Sequence, residues 1–308
     1  MLKEKKLSIA GKFLLLAATL VWGTSFFITK DALNDFPPLF VLAFRFLLGG
    51  ALLLAVFHQS AFRLTGAGFL WALLLGVVTA AAYILQTYGI KISGSASKTA
   101  VLTVTYCIFV PFMCFAFFRE RPSAHHVVAA ALCFCGIGLI SINGGFSLNW
   151  GDALSLASGI FFALQIIVGK KLIQSGAALG GLPVALLAVG IICGVSSVLF
   201  ESGEYFAMSF SWQTIWPLLY LAVLCTCAAQ AFQIVGQKWT SANETALILS
   251  FESVFGAAFG IAFGGDEANA RMIIGFVLVF AAVLVCETKM GAVFRRKNKK
   301  TEGENEDD

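Results

Sequence analysis

Charge is what this chain has least of. Only 12% of its 308 residues are Asp, Glu, Lys or Arg, about half the share of a soluble globular domain. A water-facing surface over most of its length is thereby excluded. It has no G-x-x-x-x-G-K-S/T phosphate loop, which removes ATP hydrolysis as a source of power. The net charge of +4 is small and sits mostly at the chain ends, a pattern that orients a membrane protein rather than one that holds nucleic acid. The three histidines, His58, His125 and His126, sit at polar joints with no carboxylate group around them beyond Glu120. Titrating surface residues are their plain reading, and a membrane enzyme would cluster such groups at one face. No catalytic residue, cofactor or metal site is expected.

Cysteine is plentiful by contrast, yet Cys107, Cys114, Cys133, Cys135, Cys193, Cys225, Cys227 and Cys286 all lie inside apolar runs. Two of the close pairs are two residues apart, which points them to different faces of a helix. That excludes an ordinary zinc spacing and gives no sign of a disulfide framework, so they read as small core residues.

The apolar runs, separated by short polar joints, number ten: about 12–30, 38–57, 67–90, 96–118, 125–143, 152–172, 181–200, 213–236, 242–264 and 270–288. Each reaches the roughly 20 residues a helix needs to cross a bilayer. The first run holds Trp22, Phe26 and Phe27 where a cleaved leader would need small residues, and so reads as a retained helix. With the first end placed in the cytoplasm, sixteen Lys and Arg fall inside and four outside, which sets both ends as cytoplasmic in a multi-pass protein of the cell membrane.

The chain also repeats. An offset of 140 lays Gly11, Leu14, Leu16, Ala17 and Lys30 on Gly151, Leu154, Leu156, Ala157 and Lys170. An offset of 146 matches Ser95-Ala96 with Ser241-Ala242, Thr99-Ala100 with Thr245-Ala246, Phe109 with Phe255 and Glu120 with Asp266. The expected organisation is a segment 1–11, a first five-helix repeat 12–143, a second 152–288, and a charged cytoplasmic tail 289–308. Five crossings is an odd number, so the second repeat enters from the opposite side. Inverted repeats around a central cavity are the usual build of alternating-access carriers. The fold class is thus an all-α polytopic membrane protein of ten helices.

Trp22-Gly23, Phe44-Arg45-Phe46, the stretch Ser95 to Ala100 and the run Ser241 to Glu267 resemble the EamA family of the drug/metabolite transporter superfamily. In the last run Glu252 is kept, Ser253 stands where the family has proline, Val254-Phe255 follow, and Gly265-Asp266 replace a closing Gly-Glu. The resemblance implies a ten-helix carrier of the kind that exports amino acids, other metabolites and drugs.

Polar residues recur at helical spacing inside the apolar runs: Thr79, Tyr83 and Gln86; Thr226, Gln230, Gln233 and Gln237; Thr99, Thr103 and Tyr106; Ser155, Ser158 and Gln165. An offset of 147 lays the first three on Thr226, Gln230 and Gln233. Polar groups in lipid face protein or a wet cavity, either as glue between helices or as a cavity lining. Glu252 and Arg45 are the charges nearest the membrane middle. They pair with each other to fix two helices, or Glu252 binds a substrate ammonium or carries a coupling proton. The counterpart of Glu252 is Tyr106, which centres the cavity on helices four and nine. Trp22 and Tyr83 are candidates to line an apolar pocket. Most of the 41 aromatic residues face lipid or core, and Trp212, Trp216 and Trp239 suit an interfacial belt.

Gly256, Gly260 and Gly264 allow close helix approach within the chain or across a homodimer. The basic stretch after Arg295 reads as a tail that touches anionic headgroups. The expected function is a secondary transporter exporting a small metabolite such as an amino acid or organic cation, with solute and lipid as partners. The alternatives are a carrier of anionic metabolites such as sugar phosphates, which would need embedded cations beyond Arg45 and the rim residues Lys30, Lys91 and Lys98, or a membrane-embedded enzyme or lipid-handling protein.

Overall fold

The computed structural model describes residues 2–119, 149–267 and 269–287, with isolated positions between 128 and 139. These residues form helices joined by short turns, with no strand among them. The elements are α1 (Leu2–Ala32), α2 (Pro38–Ala61), α3 (Gly66–Ser93), α4 (Ala96–Thr103), α5 (Tyr106–Phe118), α6 (Trp150–Gln174), α7 (Ala178–Phe200), α8 (Trp212–Tyr220), a π-helical segment (Leu221–Ala228), α9 (Ala229–Gln237), α10 (Ala242–Ala262) and α11 (Ala270–Glu287). Eight spans among the described residues are long and apolar enough to cross a membrane. α11 adds a shorter apolar stretch, Ile273–Ala282. This is an all-helical, multi-pass membrane protein. Most of the expected fifth crossing near 125–143, together with Glu120, His125, His126, Cys133 and the tail 289–308, lies outside the described residues.

Side-chain burial follows the bilayer as solvent. Leu70, Val77, Ile191, Val195 and Leu199 are more than half exposed on the outer surface, while Thr79, Thr226, Gln230, Gln233 and Gln237 are buried between helices. With no water in the hydrocarbon region, the polar stripes must turn inward.

Two helices depart from the expected form. The fourth crossing is broken at Val104–Thr105, where the Thr105 hydroxyl binds the Leu102 carbonyl, with Pro111 following inside α5. The eighth carries the π-helical turn, where the Ala229 amide reaches back to the Leu224 carbonyl. By contrast α10, with Ser253 in place of a proline, runs unbroken.

Contacts fix helix directions. Lys12 meets Glu244 at 3.2 Å, and Lys30 meets Asp266 at 2.6 Å, so α1 and α10 run parallel. We call the Lys12 end the near face and the Lys30 end the far face. α6 starts at the far face, where Lys98 of α4 holds Asp152 at 2.7 Å, and ends at the near face, where Gln237 donates to the Ile166 carbonyl. α6 therefore runs opposite to α1. α1 packs on α10 and on the eighth crossing; α6 packs on α4 and on α3; α2 packs on α7. Exchanging the two half-sequences exchanges these pairings. The two ion pairs also exchange: Lys12 and Asp152 are 140 apart, Lys98 and Glu244 are 146 apart, and the signs of charge are swapped.

Close approach of α10 is made by glycine. A Cβ at Gly256 would sit 2.6 Å from Ala100 Cβ, and one at Gly260 would sit 2.8 Å from the Ser97 nitrogen. The small-residue stripe is thus taken up against α1 and α4 of the same chain.

Candidate functional site

Seven of the nine expected site residues converge on one central cavity. α1 supplies Trp22 and, one turn on, Ser25 and Phe26. α3 supplies Tyr83 and Gln86, α6 supplies Phe162, Gln165 and Ile166, α9 supplies Gln233, and α10 supplies Leu249 and Glu252. Tyr106 opens α5 directly after the helix break, which aims its ring into the same space. The cavity measures about 20 Å³, enough for roughly one water molecule.

The lining follows the sequence repeat. Trp22 and Phe162, Ser25 and Gln165, and Phe26 and Ile166 are each 140 apart; Gln86 and Gln233 are 147 apart; Tyr106 and Glu252 are 146 apart. Ser25, Phe26, Phe162, Ile166 and Leu249 were not among the expected residues. Applying the offsets to Trp22 and Gln165 would have found Phe162 and Ser25.

Hydrogen bonds hold the lining in place. Gln230 Nε2 donates to Tyr83 Oη at 3.3 Å, Gln233 Nε2 to Gln165 Oε1 at 3.4 Å, and Gln86 Nε2 to Thr103 Oγ1 at 3.4 Å. The Trp22 indole donates to the Cys225 carbonyl at 2.7 Å, a carbonyl that the Ala229 amide passes over in the π turn. π turns recur at functional sites; here the turn orients a cavity-lining indole. Tyr106 Oη is buried without a well-formed hydrogen bond, although the Glu252 carboxylate lies within its electrostatic reach.

Arg45 and Gln230 stand behind this lining. The Arg45 guanidinium lies 4.9 Å from the Tyr83 ring centroid and 5.2 Å from that of Phe46, and its Nε donates to Thr226 Oγ1 at 2.9 Å. The ion pair between Arg45 and Glu252 that the sequence allowed does not form. α2 presents Arg45 to the π segment, and the Tyr83 ring takes up its charge through a cation–π contact. Among the described residues Glu252 forms no salt bridge. Three further cations are spoken for: Lys30 by Asp266, Lys98 by Asp152, and Lys91 by Glu204 at 3.7 Å.

Two carboxylates that were not among the expected site residues brace the site from the far face. Glu201 is buried and accepts from the Leu39 and Phe40 amides at 3.0 and 3.1 Å, from Tyr88 Oη at 3.0 Å and from Ser197 Oγ at 2.9 Å. It thereby caps α2, whose own N-cap is Pro37 and offers no side-chain acceptor. Asp266 accepts from Lys30, from the Ser97 amide at 2.7 Å and from the Ser95 hydroxyl at 3.1 Å. Burial pushes its carboxyl upward, but the bonds from Lys30 and Ser97 outweigh that and hold it below the ordinary carboxylate range.

Known proteins are similar to this chain over most of its length. An uncharacterized transporter of Archaeoglobus fulgidus is 24% identical over 271 residues, which is 88% of this chain and 83% of that one. The uncharacterized inner membrane transporter YedA of Escherichia coli is 26% identical over 281 residues, 88% of this chain and 89% of its own. A solved crystal structure superposes with a TM-score of 0.67 at 15% identity, over 90% of this chain and 96% of that chain, a likeness of fold. The model of the EamA-like transporter family matches residues 9–142 and again 149–287. With nearly the whole chain matched, in two stretches, this multi-pass membrane protein belongs to the EamA-like transporter family.

Proposed function

We propose that the chain is a secondary transporter that exports a small metabolite, such as an amino acid or an organic cation, by opening the central cavity alternately to either face. The observation that carries this reading is the cavity lining itself: five pairs of repeat-related residues, contributed by antiparallel halves, surround one space. Halves related in this way can exchange conformations, which gives two states of nearly equal energy that face opposite sides. On this reading the halves are 12–143 and 152–288, the near face is cytoplasmic, and both chain ends lie there, in keeping with the bias of Lys and Arg. The bound partners are the solute and the lipid.

Glu252 supports a cationic or protonatable ligand. A membrane-embedded carboxylate costs roughly 2.5–3.5 kcal/mol even on the lenient insertion scale, and no fixed cation offsets it among the described residues. The Tyr106 hydroxyl and the Gln86, Gln165 and Gln233 amides add hydrogen-bonding capacity; Trp22, Phe26 and Phe162 add apolar faces. The rival reading, an anion carrier, is disfavoured because Lys30, Lys91 and Lys98 each already face a carboxylate, and Arg45 stands behind the lining against Thr226 and the Tyr83 ring.

Uptake into proteoliposomes tests the proposal, with a panel of amino acids, organic cations and phosphate esters, each with and without a pH gradient. Saturable, competable flux of one amine-bearing class is the expected result. Flux confined to phosphate esters, or none across the panel, would overturn it.

A further inference from the structure

The central cavity continues toward the near face. Gln165 and Gln233 also line a narrow crevice of about 10 Å³ between α3, α6, α7 and α9, together with Thr79, Gln230 and Gln237. Ile234, only 4% exposed, borders this crevice on one side. On its other side it borders a vestibule of about 520 Å³ at the near ends of α2, α6 and α9. Ile234 is the one lining residue that the vestibule and this amide-lined seam share. Gln237 closes the same level by donating to the Ile166 carbonyl at 2.7 Å.

The far face is built differently at the equivalent level. The residues 147 positions earlier are Thr87 and Ile90. Ile90 is packed into a cluster with Phe26, Ala96 and Ala100, and Asp266 ties the first turn of α4 to Lys30 just beyond. This apolar cluster and the pair of Lys30 with Asp266 stand at that end, and the outer pocket of about 260 Å³ beside Phe27, Lys30 and Gly264 shares no lining residue with the central cavity.

We propose that solute passes between the near-face vestibule and the central cavity through this seam, and that Ile234, assisted by Gln237, is the constriction that decides what passes. Ile234 is a positioning residue rather than a ligand. The inference rests on the carrier reading of the cavity, but its test needs no transported solute.

Ser25→Cys places a thiol in the central cavity with minimal change of shape. The full-length variant in detergent micelles, with both faces in solution, is exposed to a charged methanethiosulfonate reagent. Peptide mass spectrometry reads labelling at position 25 apart from the native cysteines. Ile234→Ala in this background is expected to raise the labelling rate about tenfold, through loss of packing in the closed seam. Ile90→Ala is expected to leave it within about twofold, because the pair of Lys30 with Asp266 beyond it stays in place. Ile234→Val, which keeps the fold where Ala does not, should act in the same direction with a smaller effect. A rise with Ile90→Ala that equals or exceeds that with Ile234→Ala, or no rise with either Ile234 variant, would overturn the proposal. Labelling as expected with no flux in proteoliposomes would remove the carrier reading and leave the seam.

Discussion

Tyr83 and Gln230 occupy the same position in the two half-sequences, 147 residues apart, and they are hydrogen-bonded to each other at 3.3 Å. The Arg45 cation rests on the Tyr83 ring beside this bond. Tyr83→Phe and Gln230→Ala are each expected to lower stability by about 1 kcal/mol. The double variant should lose less than the sum, since both single changes remove one bond. Thermal unfolding of the detergent-solubilised variants measures this; strict additivity would show that the bond is not formed.

Glu252→Gln keeps side-chain shape and removes the charge. The variant is expected to fold with an unfolding temperature close to the parent's. It should lose either the pH-gradient-driven component of flux or the preference for cationic over neutral solutes. The readout is proteoliposome uptake in parallel with the parent, and unchanged transport would confine Glu252 to a structural part.

Asp266 yields a prediction with a sign. Its carboxyl is held below the ordinary range, burial being outweighed by Lys30 and Ser97. A depressed value in the folded state means stability that is present above the unfolded value of about 3.9 and lost as pH falls through the folded one. Asp266→Asn should thus cost about 2 kcal/mol at neutral pH. The gap between parent and variant should stay level from about pH 7 to 5 and shrink only below about pH 4. Unfolding midpoints across that range test it; a gap that closes near neutrality would contradict the assigned bonds.

Glu201 caps a helix from another part of the chain. Glu201→Ala should cost about 2 kcal/mol or more, because it leaves the Leu39 and Phe40 amides and the Ser197 and Tyr88 hydroxyls without their shared acceptor. Ser197→Ala, which removes one of four donors, should cost markedly less. Hydrogen exchange in the first turn of α2 would rise in Glu201→Ala alone.

Much of this was legible in the residue order. The bilayer forces polar groups inward, so both stripes are buried: Tyr83, Gln86 and Gln233 line the central cavity, Thr79 and Gln230 line the crevice beside it, and Thr226 bonds Arg45. What stayed hidden has physical causes. Thr226, Gln230, Gln233 and Gln237 keep a spacing compatible with an ordinary helix, and the π turn beneath them is a matter of which carbonyl each amide reaches. Glu201 closes an apolar run and reads as a surface acid until the chain returns α2 to it. Arg45 and Glu252, the two embedded charges, invite pairing on sequence alone; which helix face each occupies keeps them apart.

The swapped ion pairs carry a consequence for assembly. Lys12 and Lys98 both belong to the first half, and Asp152 and Glu244 both to the second. Two copies of the first half packed head to tail would set lysine against lysine at both ends, and two copies of the second would set acid against acid. Pairing each half with the other thus avoids a like-charge contact at both ends.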